Sequence, residues 1–342
     1  MRALRPDVSI AFSAKSGELG LGSHQERSAR RGLHEKLRSL DYILTTTYKP
    51  RVNQQLFQSA QIPQGISVLV VNPNFYHPFL QFDPEEAGSH ADKLKQAQTV
   101  FPFAEDRDIY ELFLAAIRLQ TDLSDLYLKL VDLHSRMDRQ YFDFINRSAI
   151  KTVIEGGVAD GWVTAQFLGC FKNSTVYGFD PDLELFEKSY HREFLLHSKR
   201  FHSMPFALWH ESTRLSFKIN KAFTSKVAEE AGEFVDQQME AVSIDDFVTR
   251  EKIEKVDFIK LDIEGAELHA IRGAKQTIRD HRPQLAVCIY HRLEDYYEIP
   301  LLLADHAEDY TFRIGHYSPF HVFSETVLYG IPKELDRTLS HL

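Results

Sequence analysis

The sequence predicts an α/β fold built on a mostly parallel sheet, and three observations carry that prediction. Apolar runs that end in an acid recur in the second half of the chain, each followed by a helical stretch. Their acids all fall at predicted carboxyl ends of strands, where ligands bind in doubly wound sheets. Two last runs, Tyr310 to Gly315 and Thr326 to Gly330, suit an antiparallel hairpin that closes the sheet.

The first unit is Val153-Ile-Glu-Gly-Gly-Val-Ala-Asp-Gly161, followed by a helix over Trp162 to Phe171. Glycines at 157 and 161 allow positive φ and a close backbone approach. The Glu155 carboxylate can accept hydrogen bonds from an amine or a ribose hydroxyl. The spacing is E-x-G-x-x-x-G, not the G-x-G-x-x-G of dinucleotide folds, and no Lys-Ser/Thr pair for phosphates follows. In the second unit, Thr175-Val-Tyr-Gly-Phe-Asp-Pro181 places Asp180 to hold both ribose hydroxyls of a nucleoside, with a helix over Leu183 to Leu196. Ser203 to Trp209 reads as a third strand, Arg214 to Ile219 as an added one, and Lys221 to Gln238 as a polar loop. Val256-Asp-Phe-Ile-Lys-Leu-Asp-Ile-Glu-Gly-Ala-Glu267 is the next strand, with acids at 262 and 264, and its helix runs to Arg279. Leu285 to Tyr290 ends at His291, and a helical stretch follows.

These residues resemble the FkbM family of S-adenosylmethionine-dependent methyltransferases from about Thr152 to Pro332. The likeness rests on Val153 to Gly161, Tyr177-Gly-Phe-Asp-Pro181, Ala207-Leu208, Val242-Ser-Ile-Asp-Asp-Phe247 and above all Phe258-Ile-Lys-Leu-Asp-Ile-Glu-Gly-Ala-Glu267. The chain departs from the family pattern at Glu155, where Asp is usual, and at Gly156 and Ala159, where an apolar residue and Asn are usual. The resemblance implies a class I methyltransferase domain, Rossmann-like with a mostly parallel seven-stranded sheet, over residues 147–342. It also implies S-adenosylmethionine at Glu155, Gly157, Gly161, Asp180 and Ala207, and O-methylation of a sugar, glycan or secondary metabolite.

Ahead of that domain, residues 1–32 read as an irregular arm, and 33–146 as a mainly helical region. Leu33 to Leu44 is helix-like, Ile66 to Val71 is a strand, and 82–107 is loop with one short helix. From Leu112 to Phe144 apolar residues recur in an unbroken 4-3 spacing, broken in character only by Gln140, so a long helix is expected to end near Asn146. That seam supports either a homodimer or packing within the chain, because Leu114, Ile117, Leu128 and Val131 widen its apolar face.

Composition narrows the classes. A chain of 342 residues with 43% hydrophobic residues can bury a sizeable core. The net charge of −9 argues against general nucleic-acid binding. No apolar run approaches the roughly 18 residues of a membrane span, and no signal-peptide core is seen at the N-terminus. Cys170 and Cys288, expected in apolar surroundings, suit a reducing, cytoplasmic setting.

Methyl transfer from a sulfonium needs an aligned acceptor and, for a hydroxyl, a place for its proton. The expectation is that Asp262 and Glu264 position the acceptor and the cofactor's charged end, while His291 takes the proton. Two carboxylates and a histidine also suit Mg²⁺ or Mn²⁺, but this scheme requires no ion. The loop with His316, Tyr317, Pro319, Phe320 and His321 is either a wall of the acceptor pocket or a plain hairpin loop. A scaffold that keeps the fold without catalysis, and a dehydrogenase, remain as rival classes; the acids at 155, 180 and 262 and the missing G-x-G-x-x-G weigh against them.

Overall fold

The structure is a computed structural model that describes residues 42–45, 67–70, 89–117, 139–219, 225–227, 237–317 and 325–336. The chain divides into two compact units, residues 1–69 and 70–342. Strands β1 (Tyr42–Thr45) and β2 (Ser67–Val70) form a two-stranded sheet. Residues 42–44 were expected at the end of a helix; the run Tyr-Ile-Leu-Thr-Thr-Thr carries the β-branched and aromatic side chains that favour a strand. The arm of residues 1–32 and the rest of that expected helix lie outside the described residues.

The second unit is built on seven strands. These are β3 (Thr152–Gly156), β4 (Thr175–Phe179), β5 (Phe201–Met204), β10 (Phe258–Leu261), β11 (Gln284–Cys288), β12 (Tyr310–His316) and β13 (Thr326–Pro332). Their spatial order is β12-β13-β11-β10-β3-β4-β5. The five strands from β5 to β11 are parallel, and β13 is antiparallel to both β11 and β12. This is the mostly parallel seven-stranded sheet expected, closed by the expected hairpin. The chain reverses its winding between β3 and β10, which places a crevice at their carboxyl ends.

Period-two alternation in the strands feeds two cores. Ile154, Ile259, Leu285 and Val287 enter one face. Val153, Phe258, Ala286 and Cys288 enter the other, where Phe258 meets Phe167 edge-on at 5.6 Å. Cys288 is buried there as expected, whereas Cys170 is exposed.

Several boundaries differ from the sequence reading. The helix expected over Leu183 to Leu196 is two short ones, Glu184–Glu187 and Arg192–His197. The third strand is Phe201–Met204, because Pro205 follows and cannot donate to a ladder. Ala207–Leu208 forms β6 instead, in a separate four-stranded sheet of order β6-β9-β7-β8 with β7 (Thr213–Ile219), β8 (Ser225–Val227) and β9 (Gln237–Val242). The polar loop expected over 221–238 thus contains β8 and the start of β9. The helix after β10 is split into Glu267–Arg272 and Lys275–His281. Gly273 lies at the break, where a Cβ would come within 2.2 Å of the Trp209 carbonyl oxygen.

Two helices, α1 (Ala91–Gln98) and α2 (Ala104–Ile117), occupy much of the stretch expected to be loop and lie in the same compact unit as the sheet. Tertiary contacts outweigh their polar composition. Leu94 and Ala97 are buried in the same core as Ile154 and Ile259, and the Tyr110 hydroxyl donates to the Tyr296 carbonyl at 2.6 Å. On β12, Arg313 donates from Nε to Asp106 at 2.6 Å and from a terminal nitrogen to Glu105 at 2.9 Å. The guanidinium also lies over the rings of Phe103 and Phe144.

The seam from 118 to 138 lies outside the described residues, and with it the basis of the homodimer reading. At its far end, residues 140–144 form turns and bends, with φ of 67° at Tyr141 and 62° at Phe144. Burial of Tyr141 and Phe142 against the sheet decides their backbone, with the Tyr141 N–H donating to the Tyr329 hydroxyl at 2.9 Å. Among the described residues no helix is long and apolar enough to cross a membrane.

The Arg313 pair gives a stability prediction. Asp106 is 1% exposed and Arg313 7%. Asp106→Ala leaves a buried guanidinium with only the exposed Glu105, and is expected to cost about 3 kcal/mol in urea denaturation. Glu105→Ala is expected to cost less than about 1 kcal/mol. Equal effects would contradict this reading.

Candidate active site

The glycine turn joins the first two strands of the crevice. Gly157 has φ of 80° and donates its N–H to the Phe179 carbonyl at 2.8 Å, bridging β3 to β4. Gly161, at φ 79°, precedes α3 (Trp162–Cys170). A Cβ on Gly157 would lie 1.9 Å from the Asp262 carbonyl oxygen. The glycine is therefore required by the approach of the chain leaving β10, not only by space for a ligand.

Glu155 stands opposite Lys260 in the β3–β10 register. Both are buried, at 0% and 2% exposure. The Lys260 ammonium donates to the carbonyls of Gly156 at 3.0 Å and Gly157 at 2.7 Å. Glu155 Oε2 accepts from the Thr164 hydroxyl at 2.7 Å, while Oε1 is buried without a hydrogen-bond partner. Burial pushes the Glu155 carboxyl up to about 7, against the opposing pull of Lys260 and Thr164. Asp180 sits just past β4. One of its oxygens accepts the Ala159 N–H and the other the Asp182 N–H, both at 2.9 Å, so each keeps one free lone-pair direction for a ligand. Burial raises its carboxyl as well.

The turn after β10 is organised by Glu267. Its two oxygens accept the N–H groups of Ile263 at 2.6 Å and Gly265 at 3.0 Å. Glu264 between them adopts φ of 57°. This frees Asp262 from capping duty. Asp262 Oδ2 accepts from the Tyr141 hydroxyl at 2.6 Å, and Oδ1 from the Tyr290 hydroxyl at 3.2 Å. Burial alone would raise Asp262, but Lys260, His291 and the Tyr141 hydroxyl outweigh it and hold the carboxyl below its usual range.

His291 closes the cluster. Its Nε2 lies 3.4 Å from Asp262 Oδ1 and 3.8 Å from Glu264 Oε2, and its Nδ1 lies 2.9 Å from Glu267 Oε1. Burial lowers the imidazole, yet Glu267, Asp262 and Glu264 together push it up to about 10. This surround favours the protonated imidazole, which weighs against the expectation that His291 takes the proton.

The structure thus joins Asp262, Glu264 and His291 directly, and links Glu155, Gly157 and Asp180 to them through Lys260 and the glycine turn. Ala207 makes none of these contacts; it is buried on β6 with Trp209, Ala241 and Ala266. His316 and Tyr317 are not wall residues. His316 Nδ1 is 2.9 Å from the Thr326 hydroxyl, and the Tyr317 hydroxyl donates to Asp143 at 3.0 Å. Residues 319–321 lie outside the described residues. Tyr141, Tyr290, Lys260, Glu267 and Glu325 were not singled out from sequence. Lys260 and Glu267 stood in plain sight within the K-x-D-x-E-G-x-E run, whereas Tyr141 was hidden in an apparent helical seam. Glu325 accepts from Gln140 at 2.7 Å, and burial raises its carboxyl.

A doubly wound sheet with an acid-lined crevice at its switch point is the architecture of a nucleoside-binding domain. Residues 155–314 match the Methyltransferase FkbM domain model, and this segment belongs to that family. Among solved structures, the fold is similar to methyltransferase FkbM from Methylobacillus flagellatus KT, with 18% identity and a TM-score of 0.62 over 89% of this chain and 77% of that one. An rRNA methylase from Streptococcus thermophilus is a looser match, at 15% identity and a TM-score of 0.34 over 58% of this chain and 93% of that one. No curated protein matches the chain.

The orphaned carboxylate oxygen makes stability depend on pH. The Glu155 carboxyl titrates at 4.5 when unfolded and at about 7 when folded, so stability is lost as pH rises through that window. Each pH unit separating the two values is worth roughly 1.4 kcal/mol, so the loss is up to about 3 kcal/mol. Glu155→Gln is expected to flatten the difference in unfolding free energy between pH 5 and pH 8. An unchanged difference would show that Glu155 is not its source.

Proposed function

We propose that this methyltransferase uses S-adenosylmethionine to methylate a hydroxyl of a small molecule or glycan. The observation that carries the reading is Asp262, an ionised carboxylate at the end of β10 that accepts two tyrosine hydroxyls beside a glycine turn. A carboxylate held by neutral O–H donors is placed to receive a further hydroxyl and its proton.

The donor set also fits the cofactor. Glu155 Oε1 lacks a partner in a buried position, which suits an ammonium or hydroxyl donor. Asp180 keeps a free lone-pair direction on each oxygen for ribose hydroxyls. Glu155, Gly157, Gly161 and Asp180 would hold the cofactor, which supplies an electrophilic methyl group on a sulfonium. Around the acceptor, Tyr141 and Tyr290 orient Asp262. The His291 and Lys260 cations keep that carboxylate ionised until it accepts the proton. Glu264, with its side chain 31% exposed, stands at the open side where an acceptor hydroxyl arrives.

Calorimetric titration should show S-adenosylmethionine binding and no NAD binding. Asp180→Asn is expected to weaken the cofactor about 10- to 100-fold, the worth of hydrogen bonds to a charged group. With an acceptor found by mass spectrometry of glycan and metabolite pools gaining one methyl group, Asp262→Asn is expected to lower kcat about 10²- to 10⁴-fold. Its cofactor affinity should stay within roughly threefold of wild type, since the loss falls on proton transfer. A wild-type protein with no affinity for S-adenosylmethionine would overturn the proposal.

A further inference from the structure

Gln140 and Glu325 lie beside Asp262, and the reaction proposed above leaves both unused. Gln140 Nε2 donates to Glu325 Oε2 at 2.7 Å and to the Tyr141 hydroxyl at 3.1 Å. That hydroxyl donates in turn to Asp262 Oδ2 at 2.6 Å. The chain thus begins and ends on a carboxylate, with an amide and a phenol between them. An ionised carboxylate only accepts, an amide nitrogen only donates, and a phenol carries one proton. Glu325 therefore draws the amide nitrogen, not the amide oxygen, towards itself and Tyr141. Because the Tyr141 oxygen already accepts from Gln140, its single proton is left for Asp262. The Cys288 sulfur, 3.6 Å from the same oxygen, is a weaker partner.

We propose that Glu325, acting through the Gln140 amide, is a positioning residue that aims the Tyr141 proton at Asp262. Its meaning for catalysis rests on the reaction proposed above, in which an ionised Asp262 receives the proton of the acceptor. Without an acceptor atom at position 325 the amide can turn over and offer its oxygen to Tyr141. The phenol proton is then drawn away from Asp262. The backbone suits this post: Glu325 has φ of 55°, and its carbonyl accepts the Tyr317 N–H at 2.9 Å. Lys260 and Asp262 from β10 and the turn after it, and Cys288, Tyr290 and His291 from β11 and the residues after it, face its carboxyl, as does Tyr141. Burial and Asp262 raise that carboxyl, against the pull of Gln140, His291 and Lys260. Glu325 therefore gains its proton at a higher pH than a free glutamate. Once protonated it can donate as well as accept, and it no longer dictates the sense of the amide.

The first test needs no acceptor. The full chain is labelled with carbon-13 at tyrosine Cζ, and Tyr141→Phe assigns the Tyr141 resonance. In the wild type this resonance is expected to shift in one step as pH falls, with a midpoint above 4.5. The step should vanish in Glu325→Gln, which cannot ionise, and in Gln140→Leu, which breaks the relay. Circular dichroism identifies the variants that keep the fold. A Tyr141 resonance that does not titrate in the wild type would overturn the proposal. So would a step that survives in folded Glu325→Gln, or one that survives in folded Gln140→Leu and so reports only the field of the carboxylate. With an acceptor in hand, Glu325→Leu is expected to lower kcat about tenfold with KM within about twofold. Glu325→Gln keeps an acceptor oxygen and should regain most of that loss; equal losses in the two variants would count against the positioning role. The titration without methyl transfer to any pool would support the direction of the proton and count against the reaction instead.

Discussion

A single buried ammonium holds the crevice together. Lys260 lies in the central strand, in register with Glu155, and donates to the two carbonyls at which β3 turns away. Without that cation the carbonyls of Gly156 and Gly157 would lose a charged donor inside the protein, a costly vacancy in a medium of low dielectric. The same charge acts on both neighbouring acids. It helps keep Asp262 ionised, and it opposes, without cancelling, the burial that raises Glu155. The Tyr141 ring covers the ammonium at 5.2 Å, so backbone turn, acid pair and aromatic lid meet at one atom.

Around this centre the backbone is held in conformations that side chains avoid. Tyr141, Ala159, Glu264 and Glu325, all at the crevice, have φ between 50° and 67°. Left-handed backbone at non-glycine positions persists only where the surroundings over-determine it. Here the surroundings can be named. Glu267 grips both sides of Glu264, Asp180 accepts the Ala159 N–H, and Tyr141 is bound through both its N–H and its hydroxyl. The turns of the site are tied by carboxylates rather than by secondary structure.

Much of this was legible in the chain. Apolar runs ending in acids located β3, β4 and β10, a run ending at His291 located β11, and the K-x-D-x-E-G-x-E run drew attention to the turn after β10. Other features were not legible, for physical reasons. Whether Glu264 or Glu267 secures the turn depends on backbone angles that spacing does not encode. The charge state of His291 depends on three carboxylates, all of which come from the turn after another strand. The helices at 91–117 were hidden because their stability comes from the helix Asp295–His306 and from β12, not from their own composition. Tyr141 sits in a run whose apolar spacing imitates a helix, and only its long-range partners, Tyr329 and Asp262, reveal the turn.

Tyr141 lies fourteen positions before the first residue of the family match at 155, yet it supplies the shortest hydrogen bond to Asp262. The family match alone therefore omits a residue that contacts Asp262. A graft of residues 155–314 into another protein would carry the acids and leave behind the hydroxyl and ring that shield them.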